Sequence, residues 1–213
     1  MPTMGEGIQM TRTTHVFLLA ALLGLALPAA ATELPAAVDY RPPAEGLVIE
    51  YSLIDGDDRY TLTTEVLAAE GDDVVLKSSV PARQTERYFR FLLVRESAGD
   101  YFRFDEAALA GLWPLRPGKS LRLPVEGSID GAPVLLELAF VVEAIEEVLV
   151  PAGRFAAARV SYAATLGPGG ALASFRVTSW LDAERSLPVR VDVTYSTADR
   201  GAQTFRLVAQ ALR

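Results

Sequence analysis

The sequence predicts an all-β protein: a single curved antiparallel sheet, wound as a meander into a barrel or an incomplete barrel, with one short helix near residues 105–111. Three observations carry this expectation. From Glu146 to Tyr195 apolar residues alternate with polar ones at period two through three successive stretches, the signature of antiparallel strands with one buried face. No stretch alternates strand pattern with helix pattern, so parallel β-α-β units are not indicated. About ten or eleven strand-like segments follow one another, and an antiparallel meander of that size must curl to bury its inner face.

The chain begins with Arg12 and His15 ahead of the apolar run Val16 to Leu27, which ends in Pro28-Ala29-Ala30-Ala31. A charged start, a short apolar run and small residues at an A-x-A site describe a signal peptide over residues 1–31, cleaved after Ala31. The run is shorter than the ~20 residues a membrane-spanning helix needs. Met10 would place the charge at the very beginning of the signal, leaving Met1 to Gln9 as a start-site extension.

Residues 32–46 contain Leu34-Pro35 and Arg41-Pro42-Pro43, too rich in proline for a helix or a central strand, and are expected to form an extended arm. A single all-β domain then covers residues 47–213. Leu47, Ile49, Tyr51 and Leu53 alternate as a first strand. The turn Asp55-Gly56-Asp57-Asp58 leads to Tyr60, Leu62, Thr64 and Val66, and Glu70-Gly71-Asp72-Asp73 leads to Val74 through Val80. The stretch Tyr88-Phe89-Arg90-Phe91-Leu92-Leu93-Val94 is apolar on both parities apart from Arg90, and reads as one strand covered on both faces.

A turn at Ala98-Gly99-Asp100 precedes Tyr101 to Phe104. Asp105 through Gly111 then combines an N-cap aspartate, good helix formers and a C-terminal glycine, predicting a helix of about two turns. Strand pattern resumes at Leu121, Leu123 and Val125. Asp130-Gly131 closes a hairpin into the longest strand, Val134 to Ile145. After the corner Val150-Pro151-Ala152-Gly153, the even positions Ala156, Ala158, Val160 and Tyr162 are apolar. Gly167-Pro168-Gly169-Gly170 breaks the run, and odd positions take over at Phe175, Val177 and Leu181, then at Leu187 through Tyr195. Phe205, Leu207, Ala209 and Ala211 supply the last strand. This parity places Val191 inside and Arg190 on the solvated face.

Three motifs, Pro114-Leu115-Arg116-Pro117-Gly118-Lys119, Val150-Pro151-Ala152-Gly153-Arg154-Phe155 and Trp180, resemble the P-L-x-x-G-K, V-P-A-G-x-F and W pattern of a group of uncharacterised bacterial envelope proteins. The resemblance covers roughly the C-terminal half. In architecture it extends distantly to the curved sheets of lipoprotein-sorting carriers and their receptors. It implies a fold and an envelope location; it implies no reaction, because the motifs are corner chemistry.

Composition narrows the chemistry. The chain has no cysteine, and its one histidine, His15, lies in the signal segment. Ser-His-Asp and Cys-His catalysis and thiolate or imidazole metal sites are therefore excluded from the mature chain, as are disulfides and lipidation on cysteine. The formal charge of -7, with lysine only at Lys77 and Lys119, argues against nucleic acid or an anionic membrane surface as partner. Glu137 with Glu143, or Glu146 with Glu147, could be read as a carboxylate pair, but their parity puts them on the outer face of a sheet. The acidic turns at Asp55 and Glu70 fall at opposite ends of their strands, so they cannot pool ligands for calcium.

The second apolar face of the fourth strand has to be covered, by the helix, the arm, a lipophilic ligand or a partner protein. Phe89, Phe91, Leu93, Trp113 and Trp180 are the candidate ligand-binding residues. The expectation is a secreted periplasmic protein that is not an enzyme, carries no cofactor or membrane anchor, and binds a hydrophobic molecule such as a lipid or acyl chain. The alternative is a structural or assembly factor acting through an envelope protein partner.

Overall fold

A computed structural model describes residues 33–79, 84–129, 131–165, 172–197 and 201–213. The signal segment, Asp130 and the Gly167–Gly170 break lie outside the described residues. Twelve strands follow in chain order: β1 Val48–Asp55, β2 Asp58–Glu70, β3 Asp73–Ser78, β4 Gln84–Phe89, β5 Leu93–Ser97, β6 Asp100–Phe104, β7 Ser120–Ile129, β8 Ala132–Val150, β9 Gly153–Thr165, β10 Leu172–Asp182, β11 Pro188–Thr197 and β12 Gly201–Leu212. One short helix, α1 Glu106–Ala110, stands between β6 and β7.

Each strand pairs antiparallel with its neighbours in sequence, and β1 pairs with β12 from Ile49 opposite Leu212 to Asp55 opposite Phe205. The meander is thereby a closed barrel. Closure removes both sheet edges, so no row of unpaired backbone groups is left at either side. Inward positions run through Ile49 and Tyr51 on β1, Leu136, Leu138 and Phe140 on β8, and Val160 on β9, all buried. β7 and β6 approach closely at Gly127, where a Cβ would collide with the Tyr101 carbonyl oxygen and lie 2.7 Å from the Phe102 ring. Only glycine fits there.

The stretch from Tyr88 to Val94 is not one strand. β4 ends at Phe89, the chain reverses, and β5 begins at Leu93. Arg90 and Phe91 both have positive φ, 47° and 57°, and the Leu92 amide donates to the Phe89 carbonyl at 2.9 Å. Tight hairpins need this left-handed backbone to match strand twist, although non-glycine residues adopt it at a cost. The Arg90 side chain secures the turn with a 2.7 Å ion pair to Asp72, in the neighbouring β2–β3 connection. The run is apolar on both parities because it reverses direction, not because one strand is covered twice.

Alternate connections share one end of the barrel. The arm, the Arg90–Leu92 turn, α1 with its following segment, the β8–β9 corner and the β10–β11 turn all lie at the end where β1 starts. Here the arm is tied down: Val38 bridges Leu115 through two backbone hydrogen bonds, and the Arg41 amide donates to the Ser186 hydroxyl at 2.9 Å. The Ala152 amide reaches the Ala209 carbonyl of β12 at 3.1 Å, which ties the β8–β9 corner to β12 at the same end.

The helix is shorter than the two turns the sequence predicts. Asp105 caps it, accepting from the Ala108 amide at 3.0 Å. Its last carbonyls accept from the Gly111, Leu112 and Trp113 amides, and the segment that follows is held by Lys119, whose ammonium lies 3.0 to 3.4 Å from the carbonyl oxygens of Gly111, Leu112, Trp113 and Pro114. An ammonium has three protons, so it shares them among four acceptors that would otherwise be orphaned.

Candidate functional site

The barrel is not filled evenly. A cavity of about 230 Å³ lies inside it, bounded at the arm end by Phe91, Leu92 and Pro188. Ile49, Leu62, Leu76, Val177, Val191, Val193, Phe205 and Leu207 give it apolar walls. These residues come from β1, β2, β3, β10, β11 and β12, and each is an inward position in the alternation. A second cavity of about 110 Å³ lies among Leu93, Val94, Phe102, Val125, Leu138 and Phe175. Tyr162 lines both, with its ring 4.9 Å from that of Phe140 and 6.2 Å from that of Phe175.

A small polar set faces the larger cavity. The Tyr51 hydroxyl donates to the Pro188 carbonyl at 2.7 Å. Glu86 turns inward opposite Leu76 of β3, accepting hydrogen bonds from the Tyr88 hydroxyl at 3.2 Å and the Ser97 hydroxyl at 3.0 Å. Burial pushes the phenols of Tyr51 and Tyr162 well up. Burial, then the Glu86 charge, does the same to Tyr88. All three therefore stay protonated, and Tyr51 and Tyr88 act as donors.

The five residues singled out in the sequence separate. Phe91 lines the larger cavity and Leu93 the smaller one. Phe89 is fully buried but registers opposite Asp73, on the face of Arg87, where the guanidiniums of Arg95 and Arg90 lie 5.1 and 5.7 Å from its ring. Trp113 packs edge-on against Tyr40 of the arm, with centroids 5.4 Å apart. Trp180 is on the outer face of β10, opposite Arg159 and Arg190. Its indole N–H donates to Glu146 at 2.7 Å, and the Arg190 guanidinium covers it.

The carboxylates proposed as pairs are instead engaged in ion pairs with arginines. Glu143 and Glu146 both bind Arg159, Glu137 binds Arg122 and Glu147 binds Arg154. At the acidic turn of β2 and β3, Asp72 is held by Arg90 and Asp73 by Arg87 and Arg95. Sequence reasoning missed Glu86, Tyr51, Tyr88 and Tyr162. Tyr51 and Tyr162 were legible as inward positions from parity, whereas the inward turn of Glu86 follows only from its pairing with Leu76.

No protein-family model matches the chain, and no curated protein matches it. Solved structures do resemble it. The hypothetical lipoprotein YmcC of Escherichia coli superposes with a TM-score of 0.51 at 8% identity, over 78% of this chain and 84% of that one. A protein of Bacteroides fragilis described as having a YmcC-like fold gives 0.47 at 16% identity, over 83% of this chain and 99% of that one. A candidate lipoprotein of Parabacteroides distasonis gives 0.46 at 13% identity, over 84% and 100%. The chain thus shares its fold with YmcC.

Proposed function

We propose that this protein is exported to the periplasm through its N-terminal signal and there binds a small hydrophobic or amphipathic molecule inside the barrel, without catalysing a reaction on it. The observation that carries this reading is the apolar cavity of about 230 Å³ with a few converging polar groups. Ligand sites have that character, mostly apolar walls with a small number of placed donors and acceptors. The volume lies below the roughly 300 Å³ at which drug-sized sites begin, which favours a short alkyl chain or a single ring over a whole lipid.

Native mass spectrometry of protein released from the periplasm tests it. The expected result is a mass excess over the chain beginning at Thr32, lost on denaturation and absent from Val177→Trp, which fills the cavity. A bare mature chain under gentle conditions, or an identical excess in Val177→Trp, overturns the proposal. A second reading, an envelope assembly factor, is favoured by Leu135 and Leu149 of β8, which are 74% and 75% exposed. Crosslinking to one stoichiometric protein partner, lost in Leu135→Glu or Leu149→Glu, would support that reading instead.

A further inference from the structure

Glu86 stands apart from most of the carboxylates with defined partners. Asp72 in the β2–β3 turn, and Asp73, Glu143, Glu146 and Asp192 on the strands, each contact at least one arginine. Glu86, facing the cavity, is hydrogen-bonded by two neutral hydroxyls and has no ion pair among the described residues. Among the described residues no arginine or lysine lines the cavity. Two donors leave part of the carboxylate's acceptor capacity unused, and a charge beside apolar walls is costly until it is paired. An incoming cation would supply that pair.

We propose, building on the cavity-binding reading above, that the cavity selects amphiphiles whose polar head is an ammonium or comparable cationic donor held by Glu86, and rejects those with an anionic head. The Tyr88 and Ser97 hydroxyls orient the carboxylate, and the apolar walls accept the chain. A fatty carboxylate of the same length would bring a second negative charge to a site without a cation, where like charges repel.

Calorimetric titration of the mature chain with octylamine, octanol and octanoate at neutral pH tests the assignment. Octylamine is expected to bind at least about tenfold more tightly than octanoate, the difference that roughly one charge-assisted hydrogen bond supplies. Glu86→Gln should abolish that preference. Octanoate binding as tightly as octylamine overturns the assignment but not the cavity reading. An amine preference that survives in Glu86→Gln belongs to the protein's net negative charge and also overturns it. Should Glu86→Gln not fold, ionic strength decides on the wild type. Preference that collapses at physiological salt is surface attraction and refutes the proposal, whereas a pair inside the barrel is screened little. Failure of all three compounds to bind sinks the cavity reading itself.

Discussion

The guanidinium of Arg190 lies 4.3 Å from the ring centroid of Trp180, one strand over on the outside of the barrel, and it is this cover that leaves the indole only 8% exposed. Arg190→Ala should remove a cation–π contact of about 1 kcal/mol and uncover the ring. In a Trp113→Phe background, where Trp180 is the sole remaining tryptophan of the mature chain, acrylamide quenching should rise clearly on adding Arg190→Ala. Unchanged quenching would mean the stack does not form in solution.

Neighbouring substitutions on β11 separate the two faces. Val191 lines the cavity, so Val191→Asp places a carboxylate among apolar walls and should cost about 2–3 kcal/mol by denaturant titration. Parity alone marks Arg190 as solvated and replaceable, but Arg190 covers Trp180 and binds Asp192 at 2.5 Å. Arg190→Asp should therefore cost about 1–2 kcal/mol rather than nothing, since it also sets a second carboxylate beside Asp192. An unaltered midpoint for Arg190→Asp would refute the outer-face network.

Lys119 holds the segment that follows α1. Lys119→Met keeps the stem and removes the ammonium, leaving carbonyls of the segment from Gly111 to Pro114 without their donor. The expected loss is about 1–3 kcal/mol, with faster amide exchange at Leu109 and Gly111 while the barrel strands keep their protection. Uniform loss of protection across the strands would show that Lys119 acts on the whole fold instead of its own segment.

Asp192 supplies a pH dependence with a definite sign. Partial burial pushes its carboxyl up, but hydrogen bonds and charges from Arg190 and Arg206 together outweigh that and hold it below its ordinary value. A group depressed in the folded state contributes stability that is present above its unfolded pKa, near 3.9, and is lost as pH falls through the folded value. Asp192→Asn should cost about 1 kcal/mol at neutral pH, a figure already reduced for solvent screening. The gap between variant and wild type should close as pH falls below about 4. A gap that is constant with pH would assign the loss to packing.

Period two is a local property, and what depends on it can be read along the chain. The strands from β7 to β12, the capping by Asp105, the turn at Ala98-Gly99 and the inward positions of Tyr51 and Tyr162 all follow from residues within a few places of each other. The tertiary structure decided closure, because the pairing of Ile49 with Leu212 joins chain ends that no neighbouring residue specifies. It decided where the run from Tyr88 to Val94 turns, since two left-handed residues without glycine carry no local turn signal and are held by the contact of Arg90 with Asp72. Parity along β10 already puts Trp180 on the outer side with Arg176 and Thr178; the tertiary structure laid Arg190 over it and placed Glu86 inside the wall. The meeting of Trp180 with Arg190 and the inward place of Glu86 rest on register between strands, and register is set by the summed burial of the whole barrel rather than by any one stretch.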